Sequence, residues 1–170
     1  VTGVQTCALP IFKGSDYFDI NLSAATGAAR TVTGFAFQPD LIISKNRTTS
    51  VNARWGFIDS VRGVNKTLAS NLTDAEVTSQ TDLLTAFNAD GFSLGADASA
   101  YGWNYNQGGN SQYAYFAWDA GTSTVTNTAG SITSTVRASA SSGFSVVTWS
   151  ASAGATVGHG LGVRSEEHTS

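Results

Sequence analysis

The chain has 170 residues, of which only 12% are charged, and its formal net charge is −3. No basic cluster is present, which argues against a nucleic-acid partner, and no apolar run is long enough to cross a bilayer, which argues against a membrane span. Aromatic residues make up 11% of the chain, whereas disordered chains are poor in aromatics, so the composition predicts a folded domain.

The amino-acid sequences of the two ends are not those expected of natural protein termini. Codons for Arg164–Ser170 can be chosen so that their reverse complement, read in a shifted frame, encodes Gln5–Ile11. Natural termini have no reason to be complementary, and the pattern resembles a sequencing adapter read from each strand. We therefore interpret residues 1–11 and 164–170 as adapter-derived and leave them out of the fold argument. Cys7, the only cysteine, is lost with them, so no disulfide or thiol chemistry is expected.

Short alternating segments, separated by Gly, Pro, Asn and Asp, predict strands along the whole interior. The clearest of the predicted strands, in chain order, are 17–22, 30–37, 41–45, 53–59, a strand at the end of 88–95, 112–118, 131–137 and 143–149. Asp90-Gly91 lies between Phe87 and Phe92 and predicts a hairpin. Nine or ten strands with little or no helix predict an all-β fold, an antiparallel β-sandwich or barrel.

Residues 73–87 are the one region with helical character. Thr73 and Glu76 have the spacing of a helix capping box, but no sustained helical period follows them. A short turn around Leu83, Leu84 and Phe87 is the most that this pattern supports.

An internal similarity predicts the domain organisation. Residues 17–37, a strand followed by spaced glycines, are echoed by residues 143–163. We interpret 12–138 as one β-sandwich domain and 139–163 as the start of a second, truncated repeat. In the alternative interpretation, 139–163 supply the last strands of the same sandwich.

Four segments resemble a known but uncharacterised family. Residues 37–47, 59–63, 84–95 and 115–121 resemble, in the same order, a repeated domain of phage tail-fibre-like structural proteins, especially those of marine phages. The resemblance implies a concanavalin-like jelly-roll sandwich in a virion tail or fibre, extracellular after release. Fibre proteins are often trimeric, so the resemblance also implies a homo-oligomer, which the residues themselves do not show. No catalytic residues carry over.

Carboxylates give little support for catalysis. Glycoside hydrolysis needs two carboxyl groups flanking the scissile bond, yet Glu76 is the only glutamate outside the ends. Asp59, Asp90 and Asp119 each precede a turn element, where aspartate commonly caps the turn through its own backbone. His159 lies between glycines, where a catalytic triad is not expected. We therefore expect no enzyme and no catalytic residue.

Metal-binding patterns are also missing from the sequence. Zinc needs clusters of His or Cys, and calcium needs closely spaced oxygen ligands. Asn104, Asn106 and Asn110, with Asp97 nearby, do not meet the spacing of a calcium loop. No metal and no cofactor is expected.

An aromatic loop is the best candidate for a binding site. Rings and amides alternate in it, and sugars stack on flat rings while they hydrogen-bond to amides. The candidate ligand-binding residues are Tyr101, Trp103, Asn104, Tyr105 and Asn106. In the alternative interpretation, the alternating rings form a strand face that packs on the core.

Other aromatic residues are assigned to the core. Trp55, Phe57, Trp118 and Trp149 each lie among apolar strand neighbours. Arg62, close to Asp59, is expected to fix a turn rather than bind a ligand.

Three functions follow as hypotheses. The first is a phage structural module that presents loops to host cell-surface glycans, and the second is a ligand-free structural spacer. The third is a fragment of a carbohydrate-active enzyme, against which the single glutamate argues.

Overall fold

The computed structural model describes residues 15–48, 53–98 and 105–162. Within these ranges the chain forms eleven strands and no helix, and every strand pairing is antiparallel. The strands are β1 (Phe18–Ala24), β2 (Arg30–Thr33), β3 (Leu41–Asn46), β4 (Trp55–Asp59), β5 (Leu68–Ala69), β6 (Leu84–Asn88), β7 (Gly91–Leu94), β8 (Gln112–Trp118), β9 (Thr124–Asn127), β10 (Ser134–Ser139) and β11 (Phe144–Thr148). Nowhere in these three ranges is there a helix that could span a membrane.

A five-stranded sheet and a three-stranded sheet enclose the main core. The larger has the order β1-β8-β3-β4-β5, and the smaller has the order β2-β7-β6. Their facing side chains form one buried cluster, in which the rings of Phe92 and Tyr115 meet edge to face with centroids 5.2 Å apart. Alternating strand residues reach this cluster because successive side chains point to opposite faces. The predicted all-β antiparallel sandwich is thus confirmed.

β2 is shorter than the predicted strand over 30–37. Gly34 has a φ of 104°, which non-glycine residues avoid, and the strand ends at Thr33. Phe35 and Phe37 are still buried, because the chain after Gly34 folds over the sandwich, with Phe35 N donating to Asp90 O at 3.1 Å.

The short turn expected around Leu83, Leu84 and Phe87 is wrong, because Leu84 and Phe87 lie in strand β6. Val77 forms an isolated bridge with Thr67, and Leu84 begins β6 in the hairpin with β7. Leu83 and Leu84 are both fully buried. Packing in the core overrides the weak helical pattern, since local propensity is a small term compared with burial. The predicted hairpin at Asp90-Gly91 is confirmed.

The outer face of the five-stranded sheet is also apolar. One rung of paired residues crosses all five strands: Ile20, Phe116, Ile43, Phe57 and Leu68. Trp55, in the next rung, stacks with Phe116 and is exposed. The core role predicted for Trp55 is therefore wrong, because β4 turns Ile58 to the core and Trp55 to the opposite face.

A third sheet, of order β11-β10-β9, lies against one end of this outer face. The rings of Phe144 and Trp118 stack there with centroids 6.1 Å apart. Gly158 packs back on the same sheet, and its carbonyl accepts a hydrogen bond from Asn127 Nδ2 at 3.1 Å. β11 pairs with β10 across the predicted boundary at residue 138. The division into repeats stays a prediction.

Asp40 anchors the third sheet to the sandwich. Its buried carboxylate accepts hydrogen bonds from Ser60 Oγ at 2.7 Å and Ala120 N at 2.8 Å. Arg137 of β10 brings Nε to 2.7 Å from Oδ1 of Asp40, although its N–H is not aimed for a hydrogen bond. One carboxylate thus joins three segments that are distant in sequence.

Candidate functional site

Asn106, a predicted ligand-binding residue, lies in the interior. Its Oδ1 accepts hydrogen bonds from Thr26 N at 3.2 Å and Arg30 Nε at 2.9 Å. Its Nδ2 donates to Ala28 O at 2.7 Å and Gly95 O at 2.8 Å. Both ends of the amide are therefore occupied by the protein, and the side chain ties together three loops at one end of the sandwich.

Tyr105, also a predicted ligand-binding residue, is fully buried as well. Its hydroxyl shares a 2.7 Å hydrogen bond with Thr67 Oγ1, and its backbone N donates to Asp97 Oδ2 at 2.6 Å. A Cβ at Gly56 would lie 2.2 Å from Tyr105 Oη, so glycine is required there for the ring to fit. Burial raises the pKa of Tyr105 well above its ordinary value.

These positions change the interpretation of the predicted aromatic loop. Tyr105 and Asn106 offer no surface to a ligand, because each is fully covered and hydrogen-bonded by the protein. They support the loop rather than form a binding face, as the core-packing alternative expects for Tyr105. Tyr101, Trp103 and Asn104 lie outside the described residues, and their role in glycan binding stays a prediction.

The turn after β4 carries an ion-pair network. Asp59 Oδ1 accepts from the backbone N of Val61 at 3.1 Å and of Arg62 at 2.8 Å, which is the local turn chemistry expected of aspartate. Arg62 Nε pairs with the other carboxylate oxygen of Asp59, and its Nη1 lies 2.7 Å from Glu76 Oε2. The turn-fixing role predicted for Arg62 is confirmed.

The charge of Arg62 is stable in this network. Burial lowers the pKa of Arg62, but hydrogen bonds and attraction from Glu76 and Asp59 outweigh that effect and leave its pKa above the ordinary value. Two carboxylates face one guanidinium, so the network carries no excess positive charge.

A cleft of about 420 Å³ separates this network from the third sheet. β11, an edge strand, forms one wall, and the outer face of the five-stranded sheet forms the other. The lining residues are Leu41, Phe57, Asp59, Arg62, Leu68, Val146, Val147, Thr148 and Trp149. The cleft thus combines apolar walls with a charged rim, the composition typical of small-molecule sites.

Trp149 is the most accessible aromatic residue of the cleft. Its side chain is 57% exposed, so the core role predicted for it is wrong. Trp149 comes directly after the last residue of β11, where no further strand covers it. Sequence reasoning missed this exposure because the signal, an aromatic residue at a strand end followed by Ser150, is weak.

No group of three or more His, Cys, Asp or Glu residues able to hold a metal ion occurs in the described parts of the chain. Asp59, Arg62 and Trp149 are polar and aromatic residues that line the cleft.

The fold and the cleft define an all-β sandwich with a third sheet that carries an exposed aromatic edge. Residues 13–167 match the family model described as Domain of unknown function (DUF7483), and the chain belongs to that family. The match runs without a break across residue 138. No curated protein matches the chain, and no solved structure does either.

Proposed function

We propose that this domain is a phage structural module, of the tail-fibre type, that binds glycans of the host cell surface through the cleft at Trp149. The resemblance of residues 37–47 and 115–121 to phage domains supports the virion role. The exposure of Trp149 beside the cleft is the observation that carries glycan binding.

The chemistry of the cleft suits a sugar. A pyranose presents apolar C–H groups on its faces, which stack on an indole ring, and hydroxyl groups at its rim. Asp59 and Thr148 lie around the same cleft and supply acceptors and a donor for those hydroxyls. Phe57 and Leu68 form an apolar floor on which the ring can rest.

The proposal includes binding without hydrolysis. Asp59 and Glu76 each accept hydrogen bonds from Arg62, and Asp59 also holds the turn. A glycosidase needs one carboxyl group that donates a proton and a second that attacks or activates water. Asp59, which lines the cleft, and Glu76 instead both pair with the guanidinium of Arg62.

The experiment measures binding of residues 12–163 to purified lipopolysaccharide O-chains and capsular polysaccharides of bacteria. We expect Trp149→Ala to weaken binding about tenfold, which corresponds to about 1.4 kcal/mol. Trp55→Ala is the matched control, since Trp55 is an exposed tryptophan outside the cleft, and its affinity should equal that of the unmodified chain. Equal loss in both variants, or no binding by a folded sample, contradicts the proposal.

A ligand-free spacer that assembles with copies of itself is the second candidate. β1 is a seven-residue edge strand, and its Leu22 is 60% exposed beside Ile20. Long apolar edge strands pair readily with other strands. Concentration-dependent association in sedimentation, lost in Leu22→Lys, would favour this function if no polysaccharide binds.

A further inference from the structure

We infer that the glycan site continues past Trp149 into a second groove, so that the ligand is a neutral oligosaccharide chain rather than a single sugar. The inference rests on the proposed function and specifies the ligand of the same site. The second groove measures about 320 Å³ and is lined by Thr133, Ser134, Thr135, Thr148, Trp149 and Ser150. Trp149 and Thr148 line both the cleft and this groove.

The strand register lines up hydroxyl groups along the groove. Thr135 of β10 pairs directly with Thr148 of β11, so both side chains emerge on the same face of the third sheet. Thr133 and Ser150 follow two residues further along, at the same end of the two strands, and both are exposed. Each hydroxyl both donates and accepts hydrogen bonds, which matches the hydroxyl groups of a sugar.

The charge of the two grooves selects neutral sugars. Among the described residues, those that line the second groove carry no charge. In the cleft, Arg62 is matched by Asp59 and Glu76, so no unpaired cation there attracts an acidic sugar. A uronic acid or sialic acid would lose hydration in this site without gaining a counter-ion.

Ser134 lies outside this row of hydroxyl groups. The residue is only 3% exposed, and its Oγ has no hydrogen-bond partner among the described residues. Its side chain alternates to the face of β10 that carries the buried Val136, opposite Thr133 and Thr135. The hydroxyl groups of Thr133, Thr135, Thr148 and Ser150 are therefore the ones that a sugar chain in the groove can reach.

The test uses oligosaccharides, from mono- to octasaccharide, cut from a polysaccharide that binds the chain, with isothermal titration as the measurement. Affinity should rise with length until both grooves are filled. Thr135→Val should weaken binding of the longer oligosaccharides about fivefold, as expected for one lost hydrogen bond, and leave the monosaccharide unaffected. Its melting temperature should equal that of the unmodified chain, because Thr135 is exposed.

Thr124→Val is the control, since Thr124 is an exposed hydroxyl of β9 outside both grooves, and it should change neither property. Affinity that needs Trp149 but is independent of length, or a Thr135→Val variant with full affinity for every length, overturns the inference and leaves the proposed function standing. Stronger binding of uronic-acid oligosaccharides than of neutral ones overturns it too. Absence of binding to any polysaccharide contradicts both this inference and the proposed function.

Discussion

Asn106 shows how much one buried amide contributes to this structure. Replacing it with alanine removes hydrogen bonds to two donors and two acceptors, among them Arg30 and Gly95, in a region closed to water. Each buried partner left unpaired costs about 1–3 kcal/mol, partly relieved by relaxation. We expect Asn106→Ala to lower the free energy of unfolding by about 3 kcal/mol, measured by denaturant titration.

Asn88 provides the matched control for that variant. Its Nδ2 makes a single 3.0 Å hydrogen bond, to Ser93 Oγ, and the residue is only half-buried. Asn88→Ala should therefore cost less than about 1 kcal/mol. Similar losses in the two variants would show that Asn106 is not the support of the loops described above.

Residue roles set by neighbours in sequence were predictable. Asp59 and Arg62 are three residues apart, so the turn chemistry of aspartate is visible in the sequence itself. The exposure of Trp149 was not predictable from the sequence, because it depends on where the third sheet ends relative to segments far away in the chain. The burial of Asn106 likewise depends on loops that come together only in the folded protein.

The attachment of the third sheet depends on Asp40. Asp40→Asn keeps the shape of the side chain but removes the charge that faces Arg137, which is only 14% exposed. Leaving one member of a buried pair without its counter-ion is strongly destabilising. We expect a loss of about 3 kcal/mol in the free energy of unfolding, with faster amide hydrogen exchange in β10 and β11 than in β8.

Asp74→Asn serves as the control for Asp40→Asn. Asp74 pairs with Arg54 at 3.5 Å while its side chain is 52% exposed. Exposed ion pairs contribute about 1 kcal/mol or less, so this variant should remain close to the unmodified chain. If amide hydrogen exchange in the Asp40→Asn variant rose equally in all strands, the third sheet would not be a separate unit of stability.

Strands were predicted correctly where apolar and polar residues alternate over many positions. β8 was predicted with the same bounds as observed, and β1, β3, β4, β10 and β11 were predicted to within a few residues. β5 and β9 were missed. Leu68–Ala69 is too short to show an alternation of apolar and polar residues. β9 carries few apolar residues because it is an exposed edge strand. Order within the sheets was not predictable, because strand neighbours are set by three-dimensional packing.

Buried tyrosines make the whole domain sensitive to alkali. Burial raises the pKa of Tyr113 to about 12, and it raises the pKa values of Tyr105 and Tyr115 further. In the unfolded chain a tyrosine has a pKa of about 10. The unfolded state therefore loses these protons first, so stability is intact below pH of about 10 and falls as the pH rises toward the folded values.

This loss is measured as the free energy of unfolding against pH, with phenolate absorbance as a second signal. In Tyr113→Phe the slope of the decline above pH of about 10 should be smaller, because one titrating group is gone. A decline of unchanged slope in Tyr113→Phe, or stability that rises with pH in this range, would contradict the assignment of the effect to buried phenols.

The central place of β8 also determines when the domain can form. Phe18 of β1 and Leu41 of β3 both pair with Trp118, at the end of β8. On the ribosome β3 and β4 can pair early, but β1 has no neighbour until β8 has been translated. Translation proceeds at roughly 5–20 residues per second, so about ten seconds pass between the synthesis of β1 and that of β8. During this time Ile20 and Leu22 are not covered by a neighbouring strand. During this period the apolar side chains of β1 are open to contact with other nascent chains, so we expect the yield of folded domain to depend on chaperones and on translation speed.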